Sequence, residues 1–290
     1  MQRFFYATIA PDMQIIDGKK IRDEILAGLK TRVAALPTPP VFCDVLVGND
    51  PASAQYVAMK ERVAESIGIQ THTAAFPADI TTEALVAEIK KIADMPHMAG
   101  LIVQLPLPAH IDQKTVLDAV PTAIDVDALG SETSLAFYTG TPQFVYPTAA
   151  AVLAVLDSAQ VDLSDKNIVI AGKGMLVGKP VAHLLTRRGV SVVSVDSDTP
   201  NTEKIFPKAD VLISATGKAG LITGDMIQKH AVLIDAGTSE SNGGIVGDID
   251  RVSVEGRASM LAPVPGGVGP VTVAMLMQNI VIAAERMAKV

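Results

Sequence analysis

The chain has one cysteine, no tryptophan and few aromatic residues of any kind, and each scarcity removes a class of protein. Cys43 alone excludes an intramolecular disulfide, and no cluster of cysteine and histidine has the spacing of a zinc site. Cys43 lies in an apolar run at 41–47 and is expected to be a small core residue. Aromatic residues make up only 4% of the chain, so its cores must be aliphatic and rich in alanine, as in α/β proteins with parallel sheets. There is no basic run and no basic patch interleaved with aromatics, and the net charge is −7, so nucleic acid is not the expected partner. Residues 1–12 hold one arginine and a short apolar run that cannot span a membrane and lacks the build of a signal peptide. A soluble cytoplasmic protein without a membrane partner is expected.

What the chain does have is length and aliphatic material. Its 290 residues, 49% of them hydrophobic, suffice for two domains. Strand and helix patterns alternate as in βαβ units. Helices are predicted over 18–36, 53–67 and 82–93, and strands over 41–47, 70–76 and 100–104. After an irregular stretch at 125–146, a connecting helix is predicted over 148–158. A second series follows, with strands at 168–171, 191–195, 211–215 and 232–235, helices at 178–188 and 226–230, and a last helix over 272–289. The fold class is therefore α/β in two domains, the second Rossmann-like, with a cleft between them.

Three segments carry chemistry. The run Pro263-Val-Pro-Gly-Gly-Val-Gly-Pro270 packs three glycines and three prolines into eight positions before an apolar stretch. It reads either as a tight connection or as a stiff loop that brings bare backbone to a ligand at a helix start. In the second segment, Gly172, Gly174 and Gly178 follow a strand and open a helix. That is the logic of a dinucleotide loop, although a plain βα turn has the same outline. Asp196 comes 24 residues after Gly172, near the ~20-residue offset of a ribose-binding acid.

In the third, Ser53, Tyr56 and Lys60 are spaced i, i+3, i+7 and share one helical face, which continues to Val63 and Ile67. A lysine in that stripe either snorkels to water or is buried with a lowered pKa, fit to act as acid or base near neutrality. Gln104 ends an apolar strand, where it needs a hydrogen-bond partner to offset desolvation.

These segments resemble, in order, the motifs of the methylenetetrahydrofolate dehydrogenase/cyclohydrolase family. The run from Pro263 to Ala274 resembles PVPGGVGPMT almost letter for letter, with Val271 in place of methionine. Tyr56 and Lys60 match YxxxK, the stretch from Val103 to Pro108 matches VQLPLP, and Asp127 matches the acid of DVDG, here Asp125-Val-Asp-Ala128. The residue before that motif, usually lysine, is Ile124. GRSxxVGxP is met with Lys173 for arginine and Gly174 for serine. PCTP reads Tyr146-Pro-Thr-Ala149, with Thr148 kept, and Val246-Gly-Asp-Ile249 resembles VGDV. The resemblance begins at Met13, so residues 1–12 read as an extension or an upstream start. A short-chain dehydrogenase also uses Tyr-x-x-x-Lys, but there the motif follows the glycine loop, whereas here it precedes it.

The resemblance implies a folate-binding catalytic domain over 13–147 and an NAD(P)-binding domain over 148–271, with helix 272–289 packing back on the first. It implies oxidation of 5,10-methylenetetrahydrofolate to the methenyl cation and hydrolysis to 10-formyltetrahydrofolate, by a homodimer in one-carbon metabolism. Lys60 is then the catalytic group and Gln104 its partner, with Tyr56 stacked on the aminobenzoyl ring and Asp127 on the pterin. Ser53, Pro265, Gly266, Gly267 and Val268 complete the substrate site. Gly172, Lys173, Gly174, Val177, Gly178, Asp196, Ser197, Thr216, Gly217 and Thr148 hold the cofactor. NADP is the implied cofactor. Asp196 can bond a free 2′-hydroxyl and would repel a 2′-phosphate, while Lys173 pulls the other way, so NAD is also expected to serve. Because an ammonium would repel the methenyl cation, a neutral lysine bonded to Gln104 is expected, at a cost of about 4 kcal/mol for a pKa near 7–8. The alternative is a paralogue reduced to one activity or to binding alone.

Overall fold

The computed structural model describes residues 13–241 and 244–289. These fall into two compact units, one of residues 20–150 with 271–289 and the other of residues 13–19 with 151–270. The expected extension at 1–12 lies outside the described residues.

The first unit is built on a parallel three-stranded sheet in which Val41–Val47 is central, flanked by Gln70–Phe76 and Met98–Val103. Every residue of Met98–Val103 is buried, as expected of a strand covered on both faces. The helix Pro51–Ser66 follows the central strand. Asp50 caps it by accepting from the Ser53 N–H at 2.7 Å, and Pro51 supplies the fixed φ of the first turn. Thr81 caps Thr82–Ala93 in the same way, and Asp112 caps Gln113–Asp118. The C-terminal helix runs Val268–Met287, longer at its start than the sequence indicated. Within this unit its Ile280 packs on Gly100, where an added Cβ would come within 2.7 Å of Ile280 Cγ1. Arg32 grips Glu285 with two bonds of 2.8 and 2.9 Å. By length and composition this helix could cross a membrane, yet 61% of its most apolar window is buried inside the protein.

The second unit holds a six-stranded, wholly parallel sheet. Its order is Gln14–Ile15, Met260–Ala262, Val232–Asp235, Val211–Ser214, Ile168–Ala171 and Val192–Val195. The helix Gly178–Arg187 connects the last two, which pair in parallel, as a βαβ unit. A small antiparallel pair, Ser239–Ser241 with Gly244–Val246, stands apart from the sheet.

Several features differ from the sequence expectations. Residues 13–19, assigned to the N-terminal domain, belong to the second unit, because Gln14 and Ile15 pair with Met260 and Leu261. No helix forms over 226–230. A 3-10 turn at Gly224–Met226 ends at Ile227, whose extended backbone drops its side chain into the core, 2% exposed. The stretch read as irregular contains the helix Ser131–Thr139, which begins without a side-chain cap and stops at Gly140, φ +92°. The short strand Met260–Ala262 was not foreseen, being three residues long.

Candidate active site

Lys60 is 2% exposed on the buried face of Pro51–Ser66, and its neighbours on that face are Ser53, Val57 and Ala64. The stripe is thus rotated from the one drawn from sequence, and Tyr56 stands at its margin, 39% exposed. The Lys60 Nζ donates to Gln104 Oε1 at 2.8 Å and lies 4.8 Å from the centre of the Tyr56 ring. Gln104 is oriented in turn by its Nε2, which donates to the Leu105 carbonyl at 2.6 Å. That bond fixes which end of the amide faces the lysine.

Sequence reasoning missed the other partner. Asp44, at the middle of the central strand and wholly buried, brings Oδ2 to 2.8 Å from Lys60 Nζ. It had been absorbed into the apolar run 41–47. The available signal was a carboxylate in the middle of a strand with no polar face. Burial pushes the Asp44 carboxyl up to about 6, against the pull of Lys60. Lys60 is therefore half of an ion pair, not the lone Gln104-bonded amine that the sequence suggested. Beside it, Cys43 is a buried core residue, its thiol pushed up to about 12 by burial.

Asp127 sits half-buried on a turn, and burial raises its carboxyl to about 6 while Lys60 opposes the rise. The turn is held from within by Asp125, which accepts from the N–H groups of Gly130 at 2.9 Å and Leu129 at 3.3 Å. It is held from outside by Asn279, a second residue missed from sequence, whose Nδ2 donates to the Val126 and Val145 carbonyls, each at 2.8 Å. Ala128 adopts φ +58°, a backbone that suits glycine, so the alanine of DVDA keeps the turn at some steric cost. Thr148 lies half-buried in the first turn of the helix Pro147–Ser158.

In the other unit the glycine loop is shaped by packing. A Cβ on Gly172, φ +104°, would come within 2.2 Å of the Ala215 carbonyl, and one on Gly178 within 1.9 Å of the Gly172 carbonyl. Nothing lies within 4 Å of the corresponding position on Gly174. Two glycines thus close the turn while the third leaves its outer side open, the arrangement a pyrophosphate needs at a helix start. Val177 precedes that helix without a side-chain cap, leaving its first N–H groups uncapped by a side chain.

Lys173 Nζ reaches Asp196 Oδ2 at 3.0 Å and donates to Thr199 Oγ1 at 3.2 Å. Thr199 in turn donates to Asp196 Oδ1 at 2.6 Å, and these bonds hold the Asp196 carboxyl below its usual range. Ser197 is exposed beside them.

Thr216 and Gly217 are placed by the segment that resembles VGDV. Buried Asp248 accepts from Ser214 Oγ at 2.7 Å and from the N–H groups of Thr216 and Lys218 at 2.6 and 2.9 Å. In the proline-glycine run, Gly267 and Val268 are buried and Gly18 N–H donates to the Gly266 carbonyl at 2.9 Å. Pro265 is exposed and Gly266 has open space beside its α-carbon, so the accessible part of the run is its tip. Among the described residues no group of three or more metal-ligating side chains occurs.

Two α/β units, one presenting a buried lysine with amide and carboxylate partners and the other an open dinucleotide loop, define a nicotinamide-dependent enzyme. The chain belongs to the tetrahydrofolate dehydrogenase/cyclohydrolase family. Its catalytic-domain model matches residues 16–127 and its NAD(P)-binding-domain model residues 146–288. The bifunctional protein FolD of Lactobacillus delbrueckii subsp. bulgaricus is 39% identical over 94% of this chain and 98% of its own length. Among solved structures, bifunctional FolD from Campylobacter jejuni is 32% identical, covers 95% of this chain and 99% of its own, and superposes with a TM-score of 0.90. The Trypanosoma brucei methylenetetrahydrofolate dehydrogenase-cyclohydrolase, solved with NADP cofactor and an inhibitor, is also 32% identical and gives 0.91 over 97% of this chain and 100% of its own.

Proposed function

We propose that the protein oxidises 5,10-methylenetetrahydrofolate to the 5,10-methenyl cation and hydrolyses that cation to 10-formyltetrahydrofolate. The observation that carries this reading is the buried Lys60 Nζ, bonded to Gln104 and ion-paired with Asp44, beside the Tyr56 ring. The one-carbon bridge loses a hydride and becomes a cation. Water then adds to the bridging carbon, the bond from that carbon to N5 breaks, and one proton is released. Lys60 is the group placed to handle that proton, since its Nζ is held by Gln104 and Asp44 beside the Tyr56 ring. Tyr56 offers the aminobenzoyl ring an exposed aromatic face. The Asp127 carboxylate matches the paired N–H edge of the pterin, much as a carboxylate matches a guanidinium. The tip at Pro265 and Gly266 is the part of the proline-glycine run free to meet substrate, whereas Ser53, Gly267 and Val268, each buried in its own unit, would shape the site without an exposed surface.

A bound nicotinamide dinucleotide supplies the hydride acceptor. Gly172, Gly174, Val177 and Gly178 would cradle its pyrophosphate, Thr216, Gly217 and Thr148 its nicotinamide end, and Lys173, Asp196 and Ser197 its adenosine ribose. NADP is the family's cofactor, and the Asp196 carboxylate supports use of NAD as well, since it can bond a free 2′-hydroxyl. The same reading makes the enzyme a cytoplasmic homodimer, which sedimentation of the purified protein tests.

The deciding experiment follows reduced cofactor and methenyl product separately, with 5,10-methylenetetrahydrofolate and each dinucleotide in turn. Cofactor reduction without methenyl build-up is expected. Accumulation of methenyl product would remove the hydrolase, and no turnover with either dinucleotide would overturn the reading.

A further inference from the structure

Four carboxylates are buried among the described residues: Asp44, Asp125, Asp235 and Asp248. Three of them serve the backbone. Asp125 accepts from Leu129 and Gly130, Asp235 from Gly237, Asp248 and Ile249, and Asp248 from Thr216 and Lys218. Asp44 is different. Its Oδ1 has no partner among the described residues, and its only tie is the 2.8 Å contact of Oδ2 with Lys60 Nζ. The backbone of its strand is already paired on both sides, to Thr73 and Ile102. Aliphatic residues in place of both Asp44 and Lys60 would cost the fold little, because a buried ion pair seldom stabilises more than apolar residues of like volume. The carboxylate therefore answers to the lysine.

Resting on the proposed reaction, we propose that Asp44 is a positioning residue for the hydrolytic step. Its carboxylate aims Lys60 Nζ from behind and balances its charge, so that the methenyl cation forms beside a net-neutral pair. This removes the objection to a protonated lysine at that point. A lone ammonium would repel the cation, whereas the pair presents no net charge and still carries an amine directed by Gln104. Burial pushes the Asp44 carboxyl up to about 6, so the counter-charge to Lys60 is in place around neutrality.

Other titratable groups face the pair. Tyr56 and Glu61 lie on the lysine's own helix and Asp125 and Asp127 on the adjoining turn, while Cys43 and its register partner His72 alternate to the other face of the sheet. All of them are retained in an Asp44→Asn variant, so a change in its pH profile reports the lost carboxylate.

The test measures hydrolysis of 5,10-methenyltetrahydrofolate and the dehydrogenase reaction separately in wild type and Asp44→Asn, each across pH. The kcat for hydrolysis should fall about tenfold more than that for the dehydrogenase, while KM for folate stays within about twofold. The acid limb of the hydrolysis profile near pH 6 should also be lost, because the carboxyl whose protonation breaks the pair is gone. A merely structural aspartate would weaken both activities together and leave the limb in place. Either readout unchanged overturns the proposal. Asp44→Val, which removes the carboxylate and suits the strand, gives the same reading if the asparagine variant fails to fold. If neither folds, Asp44 serves the fold and the proposal fails. A wild-type chain with neither activity would overturn the functional reading itself, which is a distinct result.

Discussion

Lys173 Nζ lies 3.0 Å from Asp196 Oδ2, joining the glycine loop to the end of the edge strand Val192–Val195. The pair opposes two demands at one place. The carboxylate suits a 2′-hydroxyl and repels a 2′-phosphate, and the ammonium that would meet that phosphate is already engaged. Asp196→Ser frees Lys173 and removes the repulsion, so the ratio of kcat/KM for NADP over NAD should rise about tenfold or more, equivalent to ~1.4 kcal/mol. Steady-state kinetics with both dinucleotides measures it. An unchanged ratio would show that neither group reads the ribose.

Lys60→Met keeps the length of the side chain and removes its charge. It leaves Asp44 buried without a counter-ion, and the raised carboxyl of that residue can take up a proton instead of staying charged. The fold should therefore survive while hydrolysis of the methenyl cation falls by about 100-fold or more, the scale of a lost acid–base group. Circular dichroism and a methenyl-decay assay check the two halves. Wild-type hydrolysis would refute the role of Lys60.

The chain's alternation of strands and helices was legible because the strands are continuous buried runs and the main helices begin at recognisable caps such as Asp50 and Thr81. The elements that escaped notice are those whose reason lies elsewhere in the fold. Gln14–Ile15 is a strand only because Met260–Ala262 is there to pair with it. Ile227 abandons the helical pattern because a core position claims it. In the site, Lys60 and Gln104 could be named from their motifs. Asp44 and Asn279 could not, since the first sits in an apolar run and the second acts across 153 positions of sequence to reach Val126. A contact of that range leaves no local trace.

Asn279 holds the Asp127 turn by two hydrogen bonds from one amide nitrogen. Asn279→Leu preserves volume but strips both bonds and leaves the buried Val126 carbonyl unpaired. A cost of about 2–4 kcal/mol is expected, since each unmade buried bond is worth ~1–3 kcal/mol. Denaturant unfolding gives that number. Because Val126 precedes Asp127, KM for the folate should rise in the variant more than kcat falls. Destabilisation with an unchanged KM would confine Asn279 to the fold.

Asp127 links stability to pH with a definite sign. Burial raises its carboxyl to about 6 in the folded protein, so the native state holds a proton that the unfolded chain releases near ~3.9. Folding is then unpenalised below about pH 4, loses stability as pH rises through about 4 to 6, and carries a constant penalty above that. Two pKa units correspond to roughly 3 kcal/mol, and partial exposure reduces this to about 1–2 kcal/mol. Asp127→Asn removes the ionisation. The variant should match wild type in stability at pH 4, exceed it by that amount above pH 6, and bind folate poorly because the pterin loses its carboxylate. Urea unfolding at the two pH values is the measurement. A stability difference that did not change with pH would mean that the Asp127 carboxylate is not perturbed by its surroundings.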